Sequence, residues 1–296
     1  NRCHYCAIPL IRGPHISRPI EEIVAEARDL AAAGAREISL IGQDTTSYGH
    51  DRYGERCLPR LLRALSAVEG PVRFRLMYAH PRHAGDELLE TLAADPRFLP
   101  YLDLPLQHVS DRVLAAMGRG VTQADLRRLL DRIRVRWPAA ALRTTYIVGF
   151  PGETEAEFEE LRQWVAEGAF LHAGVFAYSR EPDTPAGALP DHVPPAEKVR
   201  RRAALMEAQR AVSRARLREW VGRRIEVRVD GPAPRGPETP AGVRWVARAP
   251  WQAPEVDGVV WLRGAGAALT PGAVVNARVV RSLDYDLLAD RIGGAT

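Results

Sequence analysis

The segment Glu37-Ile38-Ser39-Leu40-Ile41-Gly42 is a short, mostly apolar run, and the polar cluster Gln43-Asp44-Thr45-Thr46 follows it directly. An apolar run of this length that ends in turn-forming residues predicts a buried strand. The preceding residues 19–33 carry apolar side chains at helical spacing, with Pro19 near their start and Gly34 beyond their end. The stretch therefore predicts a helix–strand unit that ends in hydrogen-bonding side chains.

The same alternation continues downstream as far as residue 178. It predicts helices near 58–68, 84–94, 110–117, 122–136 and 155–168, and strands at 72–77, 100–104, 141–148 and 172–178. Strands that alternate with helices at this spacing indicate βαβ units and a parallel sheet. Since the chain opens in a loop that leads into a helix, we expect one more strand before residue 1. The sequence thus predicts an α/β fold, a partial TIM-like (βα)6 barrel whose ligands bind at the carboxyl ends of the strands.

The character of the sequence changes after Pro194-Pro195. Residues 196–220 predict a long amphipathic basic helix, and short β-like runs follow at 224–230, 243–249, 258–262 and 273–281. Runs of this kind, separated by Gly and Pro, are typical of a small all-β barrel. We expect two domains, a core over 1–220 that ends in the basic connector helix and a β domain over 221–296.

The composition is that of a globular chain, with 296 residues, 46% hydrophobic and 26% charged. It excludes low-complexity disorder and collagen, and no apolar run reaches the ~20 residues that a membrane span needs. The first residues lack the layout of a signal peptide, and we expect a cytoplasmic location and no membrane partner.

Positive charge is concentrated in one part of the chain. The whole chain carries +4, whereas the stretch from Ala196 to Arg224 carries +7. This local excess predicts contact with an anionic partner, and a solvated helix face is the alternative. Trp245, Trp251 and Trp261 of the β domain either stack on bases or pack in its core, and the core is favoured.

The three cysteines are Cys3, Cys6 and Cys57, an odd and sparse set that does not form a disulfide framework. Cys3-His4-Tyr5-Cys6 is a C-x-x-C pair, which suits zinc, an iron–sulfur cluster or redox chemistry. Loop residues follow the pair, which disfavours the redox interpretation, and no second pair follows at zinc spacing. Two merely buried thiols remain an alternative. Cys57 lies in a polar segment and is interpreted as an ordinary thiol.

At the cysteine pair the chain resembles a known family, the radical S-adenosylmethionine methylthiotransferases. The run Asn1-Arg2-Cys3-His4-Tyr5-Cys6-Ala7-Ile8-Pro9-Leu10-Ile11-Arg12-Gly13 is similar to their cluster loop, C-x-x-x-C-x-aromatic-C followed by Ile-Pro and Arg-Gly. Cys3 and Cys6 match the second and third cysteines, and the first would fall two residues before Asn1. The resemblance implies a 4Fe-4S cluster with Cys3 and Cys6 as metal ligands and a third cysteine ligand upstream.

Further motifs extend the resemblance over nearly the whole chain and favour the RimO branch of this family. They are Gly42-Gln43-Asp44-Thr45-Thr46, Leu104-Pro105-Leu106-Gln107-His108, Arg143-Thr144-Thr145, Gly149-Phe150-Pro151-Gly152-Glu153-Thr154, Phe176-Ala177-Tyr178-Ser179 and Asp284-Tyr285-Asp286-Leu287. RimO enzymes add a methylthio group to the β-carbon of an aspartate in protein twelve of the small ribosomal subunit. The sister branch, MiaB, modifies a tRNA adenosine and typically has Gln-Asn-Val-Asn in place of Gln43-Asp44-Thr45-Thr46.

The resemblance also implies the cofactors and a TRAM-like C-terminal domain. The open iron of the cluster would bind S-adenosylmethionine, whose reductive cleavage yields a 5′-deoxyadenosyl radical. A second 4Fe-4S cluster is expected in a domain upstream of residue 1. Residues 1–296 alone are therefore expected to be inactive. A non-catalytic RNA-binding or ribosome-binding protein is the alternative of another class.

Strand-end position together with the resemblance gives the candidate cofactor-binding residues. They are Tyr5, Ile8, Gln43, Asp44, Thr45, Gln107, His108, Arg143, Thr145, Gly149, Glu153 and Phe176. No catalytic side chain is assigned. Asp44 as a turn residue, His108 as a structural histidine and Tyr5 as a packing residue remain open alternatives. Thr154-x-x-Glu157 is assigned to a helix capping box.

Overall fold

The computed structural model describes residues 3–264 and 268–293. The chain divides into two compact units, Asn1–Ala208 and Gln209–Thr296. The division falls inside a long helix, whereas the sequence placed the boundary near 220.

The first unit alternates helices and strands. Its elements are α1 (Ile8–Arg12), α2 (Ile20–Ala32), β1 (Glu37–Leu40), α3 (His50–Tyr53), α4 (Leu58–Leu65), β2 (Arg73–Leu76), α5 (Asp86–Ala94), β3 (Phe98–Asp103), α6 (Asp111–Ala116), α7 (Gln123–Arg136), β4 (Ala141–Val148), α8 (Glu155–Ala166), β5 (His172–Ala177) and the first half of α9 (Pro195–Arg218). Strands β1 to β5 form one parallel sheet in sequential order. The α/β class is confirmed, and the carboxyl ends of all five strands lie at one edge.

The two faces of the sheet differ in character, as β4 illustrates. Leu142, Thr144, Tyr146 and Val148 are buried, and the residues between them are only partly buried. The buried side contacts the helices through fully buried leucines such as Leu62, each of which contributes about 1.5–3 kcal/mol by leaving water. On β4 the opposite face is partly open, whereas on β2 and β3 it is filled by the buried side chains of Arg75, Tyr101 and Asp103.

Local capping fixes where the helices begin. Thr154 and Glu157 form the predicted capping box at the start of α8, which is confirmed. Thr122 and Asp125 form a second box at the start of α7 that the sequence analysis did not identify. Each box satisfies backbone N–H groups that a helix start leaves without intrahelical partners.

Helix α9 is less amphipathic than predicted. Its buried residues include as many polar as apolar side chains: Arg201, Gln209 and Ser213 beside Leu205, Val212 and Leu217. Arg201 is buried because its guanidinium pairs with Glu153, at 2.8 Å, and with Glu197, at 2.7 Å. Ion pairing has replaced apolar packing at that position.

The second unit contains a closed barrel. Its strands are β6 (Arg224–Pro232), β7 (Val243–Arg248), β8 (Val260–Arg263), β9 (Val274–Ser282) and β10 (Leu287–Arg291), in the order β10-β8-β7-β6-β9. The predicted β barrel is confirmed, and β10 is an addition to the sequence-based strands.

The tryptophans of the second unit have partners within it. Trp245 is buried, and the Trp261 indole N–H donates to Asp286 at 3.0 Å. The ring of Trp251 stacks on Trp220 with 4.2 Å between ring centroids. In the described ranges 3–264 and 268–293, no helix combines the length and apolarity needed to cross a membrane.

Candidate functional site

The segment from Cys3 to Cys6 forms a tight turn. The backbone N–H of Cys6 donates to the Cys3 carbonyl at 3.1 Å, which keeps their Cα atoms within about 7 Å. His4 fastens the turn to the end of α6: its N–H donates to the Met117 carbonyl at 3.0 Å, and its Nδ1 lies 2.9 Å from the Ala116 carbonyl. Both thiols are partly exposed and therefore accessible to a ligand.

Tyr5 packs beneath this turn. Its ring contacts a small apolar cluster made of Val113, Met117, Phe150, Tyr178 and Ala186. Burial raises the pKa of the Tyr5 phenol, so the group stays neutral. Its packing role is thus established, and a contact with cofactor stays a prediction. Ile8 begins α1 and is exposed.

Arg119, which the sequence analysis did not single out, connects the cysteine turn to the sheet. Its side chain is buried, with Nη1 3.3 Å from Cys3 Sγ. Nη2 donates to the carbonyl of Pro105, just beyond β3. The cysteine turn is thereby attached to the carboxyl edge of the sheet.

Hydrogen bonds join the carboxyl ends of β1, β2 and β3 and connect them to Arg143 on β4. After β1, Thr45 Oγ1 donates to the carbonyl of Met77, after β2, at 2.8 Å. The N–H of Tyr78 donates to the buried Asp103 carboxylate at 3.2 Å, and Asp103 Oδ1 lies 3.0 Å from Arg143 Nη1 on β4. The candidates Thr45 and Arg143 are therefore linked through one series of contacts.

Gly174 on β5 has no side chain and leaves an open patch on the sheet, the open floor, between Arg143, Thr145 and Phe176. A Cβ built there would lie 3.8 Å from Arg143 Nη2, 3.8 Å from Phe176 Cε2 and 3.9 Å from Thr145 Oγ1. Three candidate residues thus surround a position that has no side chain, and Phe176 is 61% exposed. The arrangement leaves an open surface with a cation, a hydroxyl and an aromatic ring.

Gln107 holds a strained backbone at the same edge. Its φ is +74°, which is uncommon for a residue with a side chain. Its N–H donates to Thr145 and its carbonyl accepts from Ile147, both at 2.8 Å, so it extends the sheet beside β4. Its buried Oε1 has no hydrogen-bond partner in the described part of the chain. Strain together with an unsatisfied polar atom is typical of a ligand site.

Asp44 caps the short turn that follows β1. Its carboxylate accepts from the Thr46 N–H at 3.0 Å and from the Ser47 hydroxyl at 2.6 Å. Burial raises its pKa, but these hydrogen bonds outweigh burial and hold the pKa below its ordinary value. The turn role left open by the sequence is confirmed. Gln43 beside it is exposed.

His80, another residue that the sequence analysis missed, lies next to this turn. Its N–H donates to Thr46 Oγ1 at 3.2 Å. Burial lowers its pKa to about 3, and the positive charge of Arg119 adds to the shift. The imidazole is therefore neutral at physiological pH, and its Nδ1 accepts from the N–H of Arg82 at 3.2 Å.

His108 and Glu153 are enclosed by protein. His108 Nδ1 accepts from the Ser110 N–H at 3.0 Å. The Glu153 carboxylate accepts from the Gly149 N–H at 2.7 Å and also binds Arg201. These contacts give both side chains a structural role, and whether they also touch a cofactor stays a prediction.

Gly149 and Lys198, the single lysine of the chain, are packed together after β4. Gly149 has φ +72°, and any Cβ there would overlap the Lys198 stem. Lys198 Nζ donates to the Tyr178 carbonyl at 3.0 Å, beyond β5. A glycine is therefore required at 149 for both its backbone angle and the close approach of Lys198.

Cys57 lies within the hydrophobic core, and its N–H donates to the Tyr48 carbonyl at 2.9 Å. Burial raises the pKa of its thiol. These surroundings are those of a structural cysteine and support its interpretation as an ordinary thiol.

The arginines at the start of α9 are occupied by partners within the first unit. Arg200 pairs with Glu155 at 2.7 Å, Arg201 pairs with Glu153, and Arg202 Nε donates to the Val175 carbonyl at 3.1 Å. Acidic residues outside the basic stretch thus balance part of its charge.

Comparison with protein-family models identifies the fold family. A model described as the radical SAM superfamily matches residues 1–165. This chain belongs to the radical SAM superfamily. A TRAM domain model matches residues 221–292, the region of the closed barrel.

Curated relatives of this radical SAM chain carry the name "Ribosomal protein uS12 methylthiotransferase RimO". The protein from Anaeromyxobacter sp. (strain K) is 47% identical over 97% of this chain and 60% of its own length. Those from Symbiobacterium thermophilum and Aquifex aeolicus are each 46% identical, over 97% and 96% of this chain and 58% and 65% of their own lengths. The chain thus spans about three fifths of the relatives it matches.

The radical SAM family implies a 4Fe-4S cluster and S-adenosylmethionine. The residues present fit these groups: two accessible thiols in one turn supply soft ligands, and the open floor at Gly174 lies among polar side chains. Within residues 3–264 and 268–293, no three His, Cys, Asp or Glu side chains are grouped as metal ligands. The third cysteine predicted upstream of residue 1 stays a prediction.

Proposed function

We propose that this chain is the cofactor-binding core of a methylthiotransferase that modifies an aspartate of ribosomal protein uS12. The observation that carries the proposal is the attachment of the Cys3–Cys6 turn to the carboxyl edge of the sheet through Arg119 and Pro105. At that edge parallel α/β folds bind their ligands. The relatives that share 46–47% of the residues over nearly the whole chain are named for this activity.

In this proposal Cys3 and Cys6 hold two irons of the cluster, and a cysteine upstream of residue 1 holds a third. When bound, the cluster and S-adenosylmethionine together supply the reducing electron and the methyl and radical chemistry. The chain's own residues would bind and orient these two groups. Arg143, held by its ion pair with Asp103, offers a guanidinium for the carboxylate of the methionine portion of the cofactor. A planar guanidinium can form two parallel hydrogen bonds to a carboxylate.

Three other groups complete the proposed cofactor surface. The Thr145 hydroxyl and the Gln107 Oε1 offer hydrogen bonds to polar parts of the cofactor. Phe176, exposed beside Gly174, offers an aromatic face to the adenine. Gly174 leaves the space, because any larger side chain would project among Arg143, Thr145 and Phe176.

The partner is proposed on the same basis. The relatives' name specifies uS12 as the protein they modify, and the barrel of the second unit matches the TRAM domain. We propose that α9 and this barrel contact the ribosome or its RNA. The exposed basic residues of the barrel strands, such as Arg224 and Arg278, would supply that contact.

Mass spectrometry after gene deletion tests the function. Deletion of the gene is expected to remove the methylthio group from uS12 and to leave tRNA adenosines unchanged, and a plasmid copy restores the modification. The Cys3→Ala, Cys6→Ala copy is the matched control and should not restore it. Loss of methylthio groups from tRNA with uS12 still modified would instead assign the chain to the tRNA reaction. Unchanged modification of both substrates, with a protein that binds no iron, would favour a non-catalytic RNA-binding role.

A further inference from the structure

Arg119 is a buried cation without an acidic partner. It is 4% exposed, and no carboxylate within the described residues lies in ion-pair distance of it. Taking a guanidinium out of water costs several kcal/mol unless an opposite charge or several hydrogen bonds compensate. Such a residue needs an anion at the end of its side chain.

The groups that Arg119 reaches are two neutral oxygens and one sulfur. Nη2 donates to the Pro105 carbonyl, and Nη1 lies 3.5 Å from the Tyr5 hydroxyl and 3.3 Å from Cys3 Sγ. Its Nε is buried without a partner. Of these groups, Cys3 Sγ is the soft ligand atom that an iron–sulfur cluster would bind.

The backbone around Arg119 is built to hold it in that place. Gly118 and Gly120 both have positive φ, +67° and +62°. A Cβ on Gly118 would come within 2.8 Å of the His4 ring, and one on Gly120 within 2.7 Å of Arg82 Nη1. The turn that carries Arg119 is therefore closely packed on both sides, against His4 and Arg82.

We propose that Arg119 is a positioning residue for the iron–sulfur cluster. It fixes the rotamer of Cys3 by an N–H···S hydrogen bond, and its charge makes the cluster easier to reduce. Hydrogen bonds to cluster sulfurs and nearby net charge are among the properties that set cluster potentials. This inference rests on the proposed function, because it needs a cluster bound at Cys3.

Redox titration monitored by electron paramagnetic resonance tests the proposal. The protein is expressed with the coding sequence that precedes residue 1 and is reconstituted anaerobically. Arg119→Gln should shift the midpoint potential of this cluster to a more negative value and change its spectrum. Arg119→Lys keeps the positive charge but loses the planar guanidinium. Its midpoint potential should therefore lie close to that of the wild type, whereas its spectrum should stay altered, as in Arg119→Gln.

The matched control is Arg128→Gln, which removes an equal charge from an exposed position on α7. It should leave both potential and spectrum unchanged. Iron content and thermal unfolding of each variant establish that the cluster and the fold are present. A Gln variant that retains iron and shows the wild-type potential would overturn the role of Arg119 and leave the proposed function standing. A wild-type protein that binds no cluster would overturn both.

Discussion

Asp103 and Arg143 form an ion pair between neighbouring strands, with 3.0 Å between Oδ1 and Nη1 and the aspartate side chain fully buried. Asp103 is the last residue of β3, and Arg143 is the third residue of β4, which continues to Val148. An arginine held in this way presents the rest of its guanidinium toward the open floor at Gly174. The pair therefore connects the stability of the sheet with the proposed cofactor surface.

Removal of the arginine should destabilise the first unit. Arg143→Met takes a charged partner away from a buried carboxylate, and we expect a loss of about 3 kcal/mol in the free energy of unfolding. Urea denaturation followed by circular dichroism measures it. The Asp103→Asn, Arg143→Met double variant should lose less than the sum of the two single variants. Additive losses would show that the two side chains do not stabilise each other.

The Glu157 carboxylate, which caps the start of α8, makes the free energy of unfolding depend on pH. Burial raises its pKa, but hydrogen bonds from Arg112, Thr154 and Ser110 outweigh burial and lower the pKa from 4.5 to about 2. A carboxyl whose folded pKa is depressed stabilises the fold above its unfolded pKa and loses that contribution as pH falls through the folded pKa. Its stabilisation is therefore complete above about pH 5 and fades between pH 4.5 and pH 2.

Replacement of Glu157 tests the direction of this pH dependence. Glu157→Ala should lower the free energy of unfolding by about 1–2 kcal/mol at pH 7, and the difference should shrink below pH 4. Glu159→Ala, an exposed glutamate of the same helix, is the control and should have a smaller effect. A Glu157 difference that is independent of pH down to pH 2 would contradict the assigned titration.

The three cysteines should separate into two classes. Cys3→Ala and Cys6→Ala should each remove most of the iron bound after anaerobic reconstitution of the protein with its upstream coding sequence, because each takes away a ligand. Cys57→Ala should retain the iron and lose some stability, since Cys57 is packed in the core. Iron analysis and the visible absorption of the cluster measure the difference. Equal iron loss in all three variants would reject the division.

Sequence periodicity predicted most of the first unit because its strands are apolar runs bounded by turn residues. Strand β4 matches its predicted bounds, residues 141–148. Strand β10 was missed because its apolar run is only three residues long, Leu287 to Ala289, before Asp290 and Arg291. The polar character of the buried side of α9 was missed because the pairing of Arg201 with Glu153 joins residues 48 positions apart.

Residue type alone singled out Cys3 and Cys6, and their role as cluster ligands stays a prediction. The strand-end rule located Thr45, which follows β1, and Phe176, the penultimate residue of β5, whereas Arg143 lies near the start of β4. Arg119 and Asp103 were not predicted, because most arginines and aspartates are solvated and burial is decided by distant contacts. The two glycines that flank Arg119 were the available signal.

Gly174 tests the central claim, that the open floor of the sheet is the cofactor surface. Its neighbours lie at ordinary contact distances from an added Cβ, so a side chain can begin there without a clash and would extend into the floor. The matched control is Gly236→Leu in the second unit, where a Cβ would have no heavy atom within 4 Å. Thermal unfolding should show that both variants fold.

The decisive measurement is the dissociation constant of S-adenosylmethionine for the cluster-loaded protein, by equilibrium dialysis. Gly174→Leu should weaken binding by at least about tenfold, which corresponds to 1.4 kcal/mol, and Gly174→Ala should weaken it less. Gly236→Leu should bind as the wild type does. Wild-type affinity in a folded Gly174→Leu protein would contradict the placement of the cofactor on this face of the sheet.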